Sequence, residues 1–288
     1  MTIAQFITAV RYLINEATAS KWFDSELLTN AYGIICDDYF AKLLAANNQF
    51  YDWYVDLSVV SGTQTYDLPY RIIKEILRDR IEKLDSDGLN DYNFYLIEPQ
   101  EVANLRSSAV CYLSAGGQSL TFSSLPSETM TVRVWFKRLP WEFHYSNPAA
   151  DTTAIGLTMK LDQSPTLTVY DAIRLDDDYY NGAFIYIASG NGVGLKKRIT
   201  DYSFDGTDSL ATVDSAWGTK FPLTTSVYEI PIPLPEEYHS LLVLDTAIMA
   251  RQKFDESVSG LQRRRDMMYQ TFFSQAGERL GYRTFAED

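Results

Sequence analysis

LPEEYHSLLVLDTAIM, residues 234–249, decides how the chain is read. Pro235 suits the first helical position, where a missing N–H costs nothing. Glu236 and Glu237 favour the positive end of a helix dipole. Tyr238, Leu241, Leu242, Ile248 and Met249 supply an apolar face. A helix therefore returns here, after a long stretch that carries strand and turn signals. Another helix starts near Ser257 or Ser259. Leu261, Met268, Phe272, Phe273, Ala276 and Leu280 line it, and Gly281 is a fitting C-cap.

The other end of the chain matches this one. Ile3, Phe6, Ile7, Val10, Leu13, Ile14 and Ala17 recur at helical spacing, and that helix stops near Ser20. Asp24 then reads as an N-cap, with Phe23 and Leu28 placed for a hydrophobic staple. Leu27, Leu28, Ala31, Ile34, Ile35 and Tyr39 form the apolar face of a second helix. Its short connection to the first favours antiparallel packing.

Helices at opposite ends of a chain pack together only if what lies between is an insertion with neighbouring ends. The expected fold is therefore α+β. A helical bundle forms from the N- and C-terminal helices, and the β-rich middle includes an inserted small β sandwich or barrel module. The expected divisions are a helical hairpin over 1–48, a β-rich domain over 49–163 and the inserted module over 164–231. The completing helices take 232–281, and 282–288 form an extended tail.

Within the middle, Met130, Val132, Val134 and Phe136 alternate with Thr131, Arg133, Trp135 and Lys137. This is the cleanest strand pattern in the chain. Glu98–Arg106 reads as a short helix, and residues 143–163 show no period. In the module, Asn181-Gly182, Gly190-Asn191-Gly192, Asp205-Gly206 and Trp217-Gly218 mark turns. Short apolar runs lie between them at Ala183–Ala188, Leu210–Val213 and Val227–Ile232.

Composition narrows the function. The chain has 38 acidic against 25 basic residues, a net charge of −13. That opposes general nucleic-acid binding, which needs clustered Lys and Arg. The 20 Tyr suit buried β-structure and assembly surfaces alike. Two cysteines, Cys36 and Cys111, have no zinc spacing and read as buried free thiols. No window reaches the ~20 apolar residues of a membrane span, and the N-terminus lacks signal-peptide design. A cytoplasmic product is expected.

No catalytic constellation stands out. Asp176-Asp177-Asp178 lacks the ligand spacing of a calcium loop. Gly190–Gly194 followed by Leu195 lacks the Gly-Lys-Ser/Thr of a phosphate loop, and a strand follows rather than a helix. His144 and His239 have no nucleophile elbow to serve. No cofactor or metal is expected. Arg263-Arg264-Arg265 is a tight basic cluster on the last helix of an acidic protein. Three consecutive helical residues fan around the axis, so one intramolecular partner cannot take them all. They read either as a solvated face paired with nearby acids or as contacts to an acidic neighbour, which the arginine fork suits. Lys196-Lys197-Arg198 in the β module reads the same way.

Three stretches resemble the head-to-tail connector, or portal adaptor, proteins of tailed bacteriophages. The first runs from Ala9-Val10-Arg11-Tyr12-Leu13 to Trp22-Phe23-Asp24-Ser25-Glu26-Leu27. The second is Tyr66-Asp67-Leu68-Pro69. The third is similar to a small β module of phage virion proteins. It comprises Asp178-Tyr179-Tyr180-Asn181-Gly182, the Ser189–Gly194 loop, Arg198-Ile199-Thr200-Asp201-Tyr202, and Trp217, Pro222, Ser226 and Tyr228. The returning Leu234-Pro235-Glu236-Glu237 helix also fits.

The resemblance implies a non-enzymatic ring in the virion, usually of twelve copies, at the head-tail junction. Its helices would face the portal ring, and its β region would face the tail tube, nozzle or next tail adaptor. DNA would pass through the channel without specific binding. On this reading Arg263, Arg264, Arg265, Tyr282 and Phe285 are portal or subunit contacts, and Lys196, Lys197 and Arg198 are contacts of the β module. Two other readings remain open. One is a tail-associated carbohydrate-binding β protein with exposed Tyr and Trp. The other is a glycoside hydrolase with an unrecognised pair of acids.

Overall fold

Thr2 starts the first helix. Its hydroxyl accepts the Gln5 N–H at 3.2 Å, and the Gln5 side chain accepts the Thr2 N–H at 2.9 Å, closing a reciprocal cap. A computed structural model describes the chain except for residues 17–20, 47–48, 105–108, 115, 147–153, 170–172, 219–221, 223–225 and 282–288. It also leaves aside the side chains of 102–104 and 272–281. The protein is mixed α+β with a β-rich middle, and it divides into two units. One comprises 1–50 and 140–288, and the other comprises 51–139.

The larger unit holds the α-helices of the described residues: α1 (Ile3–Leu13), α2 (Asp24–Ile34), α3 (Phe40–Ala45), α4 (His239–Gln252) and α5 (Ser259–Gly281). A π-helical turn, Ile35–Tyr39, joins α2 to α3. Ile3, Phe6 and Val10 of α1, Leu27, Leu28 and Ala31 of α2, and Leu241, Leu242 and Ala247 of α4 are all buried. α1, α2 and α5 all pack on α4. Burial on nearly every face of α4 makes it the central helix.

Several local expectations shift. α1 ends at Leu13, because Asn15 adopts a positive φ of 56°. Asp24 is the first residue of α2 rather than its cap. Phe23 occupies the cap position, with its N–H donated to Glu26 at 3.0 Å. Phe23 is 67% exposed, so it forms no staple with buried Leu28. Asp24 instead takes the Arg11 Nε at 2.9 Å, while Arg11 also donates to the Trp22 carbonyl at 2.8 Å. Buried Arg11 thus fixes the link between the first two helices.

The same unit holds eight short strands: β8 (His144–Tyr145), β9 (Ala154–Ile155), β10 (Thr158–Leu161), β11 (Leu167–Thr168), β12 (Phe184–Ser189), β13 (Lys196–Phe204), β14 (Ser209–Val213) and β15 (Val227–Ile230). All pair antiparallel, in the order β11-β8-β15-β12-β13-β14-β10-β9. The sheet curls into a nearly closed, barrel-like form. The Asp162 N–H, just past β10, reaches the Tyr228 hydroxyl on β15 at 2.7 Å. Trp141, Met159, Ile185, Ile187, Ile199, Tyr202, Val213 and Tyr228 fill its interior. The division expected at 163/164 falls inside this sheet, since β8, β9 and β10 belong to it. These strands are two to four residues long, too short to show a period.

The smaller unit is one seven-stranded sheet: β1 (Asp52–Val59), β2 (Thr65–Asp67), β3 (Ile73–Leu84), β4 (Asn90–Ile97), β5 (Val110–Leu113), β6 (Ser119–Phe122) and β7 (Met130–Arg138). Its order is β1-β7-β3-β4-β5-β6-β2, and only β4 and β5 run parallel. Val132, Val134 and Phe136 of β7 point inward as their alternation requires. The expected helix at Glu98–Arg106 is a 3-10 turn over Pro99–Asn104, and 105–106 lie outside the described residues.

Candidate partner interface

The arginine cluster lies in the second turn of α5. Arg263 and Arg264 are exposed, and among the described residues neither has an ion-pair or hydrogen-bond partner. Arg265 is spent inside the chain. Its Nε lies 2.9 Å from Asp245 on α4, and its Nη1 lies 3.1 Å from Asp266. Asp245 also accepts the buried Tyr39 hydroxyl. The fan of three arginines thus divides, with one joining α5 to α4 and two facing out. Tyr282 and Phe285 lie outside the described residues.

Beside Arg264, α1, α4 and α5 leave an open groove of about 700 Å³. Ala4, Thr8 and Ala9 of α1 form one wall, and Val243 and Leu244 of α4 lie beneath. Gln5, Thr8 and Tyr12, also in its lining, are three and four residues apart and so share one face of α1. Tyr12, 84% exposed, stands over the groove. Small residues on α1 create the space, and Arg264 supplies a cationic flank.

The basic residues of the β module are engaged locally. Lys196 sits 4.5 Å from the Phe184 ring centre. Lys197 donates to the Ser215 hydroxyl at 2.7 Å. Arg198 donates to the Gly182 carbonyl at 3.2 Å. They brace β12, β13 and the turn after β14.

The other candidate groups are structural. Asp177 accepts the Phe204 N–H at 2.8 Å, and Asp178 accepts the Asn181 amide at 2.7 Å. Gly190, Gly192 and Gly194 take positive φ in the hairpin between β12 and β13, which glycine alone does readily. Among the described residues, no group of three or more His, Cys, Asp or Glu side chains gathers as a metal set would. No described helix is long and apolar enough to cross a membrane. Cys111 is buried, which pushes its thiol up to about 12, while Cys36 is half-buried.

His144 is enclosed in the barrel-like sheet, with Nε2 3.1 Å from the Tyr228 hydroxyl. Burial lowers its pKa to about 3. His239 faces the Leu234 carbonyl at 2.9 Å. Glu229 on β15 is buried against α1, where its carboxyl accepts the Ile3 N–H at 3.0 Å. Burial raises its pKa to about 7, although that N–H opposes the shift. Sequence reading passed over Glu229, because an acid on a short apolar strand carries no signal of the helix that will cover it.

None of the five tryptophans offers an open ring face for a sugar. Trp22, Trp53, Trp141 and Trp217 are buried. Half-buried Trp135 is covered by the Arg80 guanidinium at 3.7 Å and flanked by Tyr54 at 5.0 Å.

Neither a family model nor a curated protein sequence matches the chain.

Proposed function

We propose that this chain is a structural adaptor of a tailed-phage neck. In this reading, copies assemble as a ring, usually of twelve in the family the sequence resembles. The ring joins the portal to the tail tube, nozzle or next adaptor at the head-tail junction. Helices from the two ends of the chain act as one bundle that meets the portal. The β-rich regions face the tail, and DNA passes through the centre.

One observation carries the proposal. The helices that bring both ends of the chain together leave an apolar groove flanked by Arg264, which has no partner among the described residues. A reaction site gathers titratable groups around a reacting atom. This surface instead offers apolar area edged by cations, which a protein partner buries. The net charge of −13 per chain supports the channel reading. An acidic wall repels phosphate within the screening length of about 8–10 Å in physiological salt. The proposal includes no catalytic step and no cofactor. The closed tryptophan faces leave exposed tyrosines alone to carry the carbohydrate-binding alternative.

Electron microscopy of the purified protein, alone and mixed with the portal encoded in the same genome, tests it. Rings that cap the portal are expected. A chain that forms no ring and does not co-sediment with the portal overturns the proposal. Selective retention on a glycan array would favour the carbohydrate reading.

A further inference from the structure

Among the described residues the two sheets end in four strands, β1 and β2 in the smaller unit and β9 and β11 in the larger. Three of these ends are two or three residues long, and short edge strands are one way a protein keeps a sheet from pairing with another chain. β1 is the exception. It has eight residues, Asp52–Val59, all paired with β7 in unbroken register. We propose that the free edge of β1 pairs antiparallel with β1 of a second copy of this chain. The inference does not rest on the ring reading. Such a contact is isologous and closes at two copies, whereas a ring repeats a head-to-tail contact.

β1 lacks the other guards of an edge strand as well. It contains no proline, lysine or arginine, and its pairing with β7 contains no bulge. Its two acids are held by β7. Asp52 takes the Lys137 ammonium, and Asp56 takes Arg133 in a two-pronged contact at 2.7 and 2.8 Å. Among the described residues, β7 is the one strand that pairs with β1, and no other backbone hydrogen bond involves Tyr54–Val59. Asp56 and Ser58 on this strand are exposed.

Length selects the occupant. An eight-residue edge is matched by an edge of like length, and the other three sheet ends are too short. Side-chain parity then selects the register. Trp53, Leu57 and Val59 are buried, so alternation places Val55 on the same inward face. Opposite residues of paired strands share a face. Setting Val55 against Val55 of the second copy therefore keeps the inward face inward. It pairs Trp53 with Leu57, Tyr54 with Asp56, and Asp52 with Ser58. The next register on one side sets Asp56 against Asp56, and the next on the other sets Asp56 against Asp52, both unfavourable. Val55 is also the one inward residue of β1 that is half-buried rather than buried, and its copy covers it.

Cross-linking and hydrogen exchange on the full chain test this. Val55→Cys is combined with Cys36→Ala, and Cys111 stays because it is fully buried. In the proposed register Val55 lies at the two-fold axis, with Cβ atoms about 4.5–5.5 Å apart. Mild oxidation should link two Val55→Cys chains, read on a non-reducing denaturing gel. Ser58→Cys in the same background is the control. Ser58 of the second copy lies six residues along the strand, about 20 Å away, so it should stay unlinked. In the unsubstituted chain, amides within 54–59 should exchange several-fold more slowly in concentrated than in dilute solution. Val55→Lys should abolish that difference, because an inward charge blunts an edge. A circular dichroism melt checks that this variant folds. If it does not, the cysteine comparison and the unsubstituted chain decide without it. No link at 55, equal links at 55 and 58, or exchange indifferent to concentration overturns the inference. Neither readout depends on ring formation, so the portal reading stands or falls separately.

Discussion

Arg265 Nε lies 2.9 Å from Asp245 Oδ1, and the same carboxylate accepts the hydroxyl of Tyr39. One acid on the central helix thus holds both the last helix and the π-helical turn after α2. Arg265→Ala removes the α5 link and leaves Asp245 with the tyrosine alone. Arg265 is partly exposed, so solvent screening keeps the expected cost to about 1–2 kcal/mol. Tyr39→Phe should cost a similar amount. The two changes together should depart from additivity, because they share Asp245. Urea unfolding of the two single variants and the double variant measures this.

Arg263 and Arg264 should behave differently from Arg265. Both are exposed and unpaired among the described residues. Changing both to Glu should move stability by no more than about 0.5 kcal/mol. Portal co-sedimentation should weaken and its salt dependence should change, because rim charges act mainly on encounter. Unchanged docking at matched ionic strength would remove these arginines from the interface.

The stability of the helical part should depend on its shared core. Leu28 of α2 and Leu242 of α4 are fully buried. Leu28→Ala or Leu242→Ala should each cost roughly 2–5 kcal/mol. Thermal melts followed at 222 nm would show it. A cost near zero for either would mean that the side chain does not pack as described.

Glu229 and His144 should set opposing pH limbs. Glu229 rises from 4.5 to about 7 on folding, because burial disfavours its charge. Its favourable contribution is complete below 4.5 and is lost as pH rises through 7. A shift of that size corresponds to about 3 kcal/mol at most. His144 falls from 6.5 to about 3. Its contribution is complete above 6.5 and is lost as pH falls toward 3. Between 4.5 and 6.5 the two oppose each other and flatten the profile. Glu229→Gln keeps an acceptor for the Ile3 N–H but removes the titration. That variant should gain on wild type above pH 7 and show a steeper acid limb, readable from denaturant midpoints across pH 4–8. Parallel pH profiles for both proteins would refute the assignment.

The β module should not be separable at 166–229. Cutting there strips β11 to β14 and most of β15 from a sheet whose remaining strands are β8, β9 and β10. Replacement of 166–229 by a Gly/Ser linker should therefore yield aggregated protein, since short unpaired edges and an opened core remain. A soluble, cooperatively melting remainder would show that the helices fold without the sheet.

Local physics made much of this molecule legible. The apolar stripe of α1, the Leu234–Glu237 helix start and the alternation of Met130–Lys137 each record a period that backbone geometry imposes on any partly buried element. The turn at Gly190–Gly194 was legible because its positive φ angles demand glycine. Longer-range facts left no trace of that kind. Strands of two residues, such as His144–Tyr145 and Ala154–Ile155, have no period and exist only because neighbours complete their hydrogen bonds. Nothing adjacent in sequence announces that Arg11 is buried against Asp24, or that Glu229 meets the first turn of α1. The arginine run was visible, but not its division. Asp245 takes Arg265 because α5 packs on α4 at that height, and the same packing turns Arg264 toward a groove. Sequence determined the long helices and the strands with a clear alternation, since propensity and periodicity act within a few residues. Tertiary structure decided which charged groups are spent internally and which stay free, since only the folded chain fixes the distances between residues far apart along it.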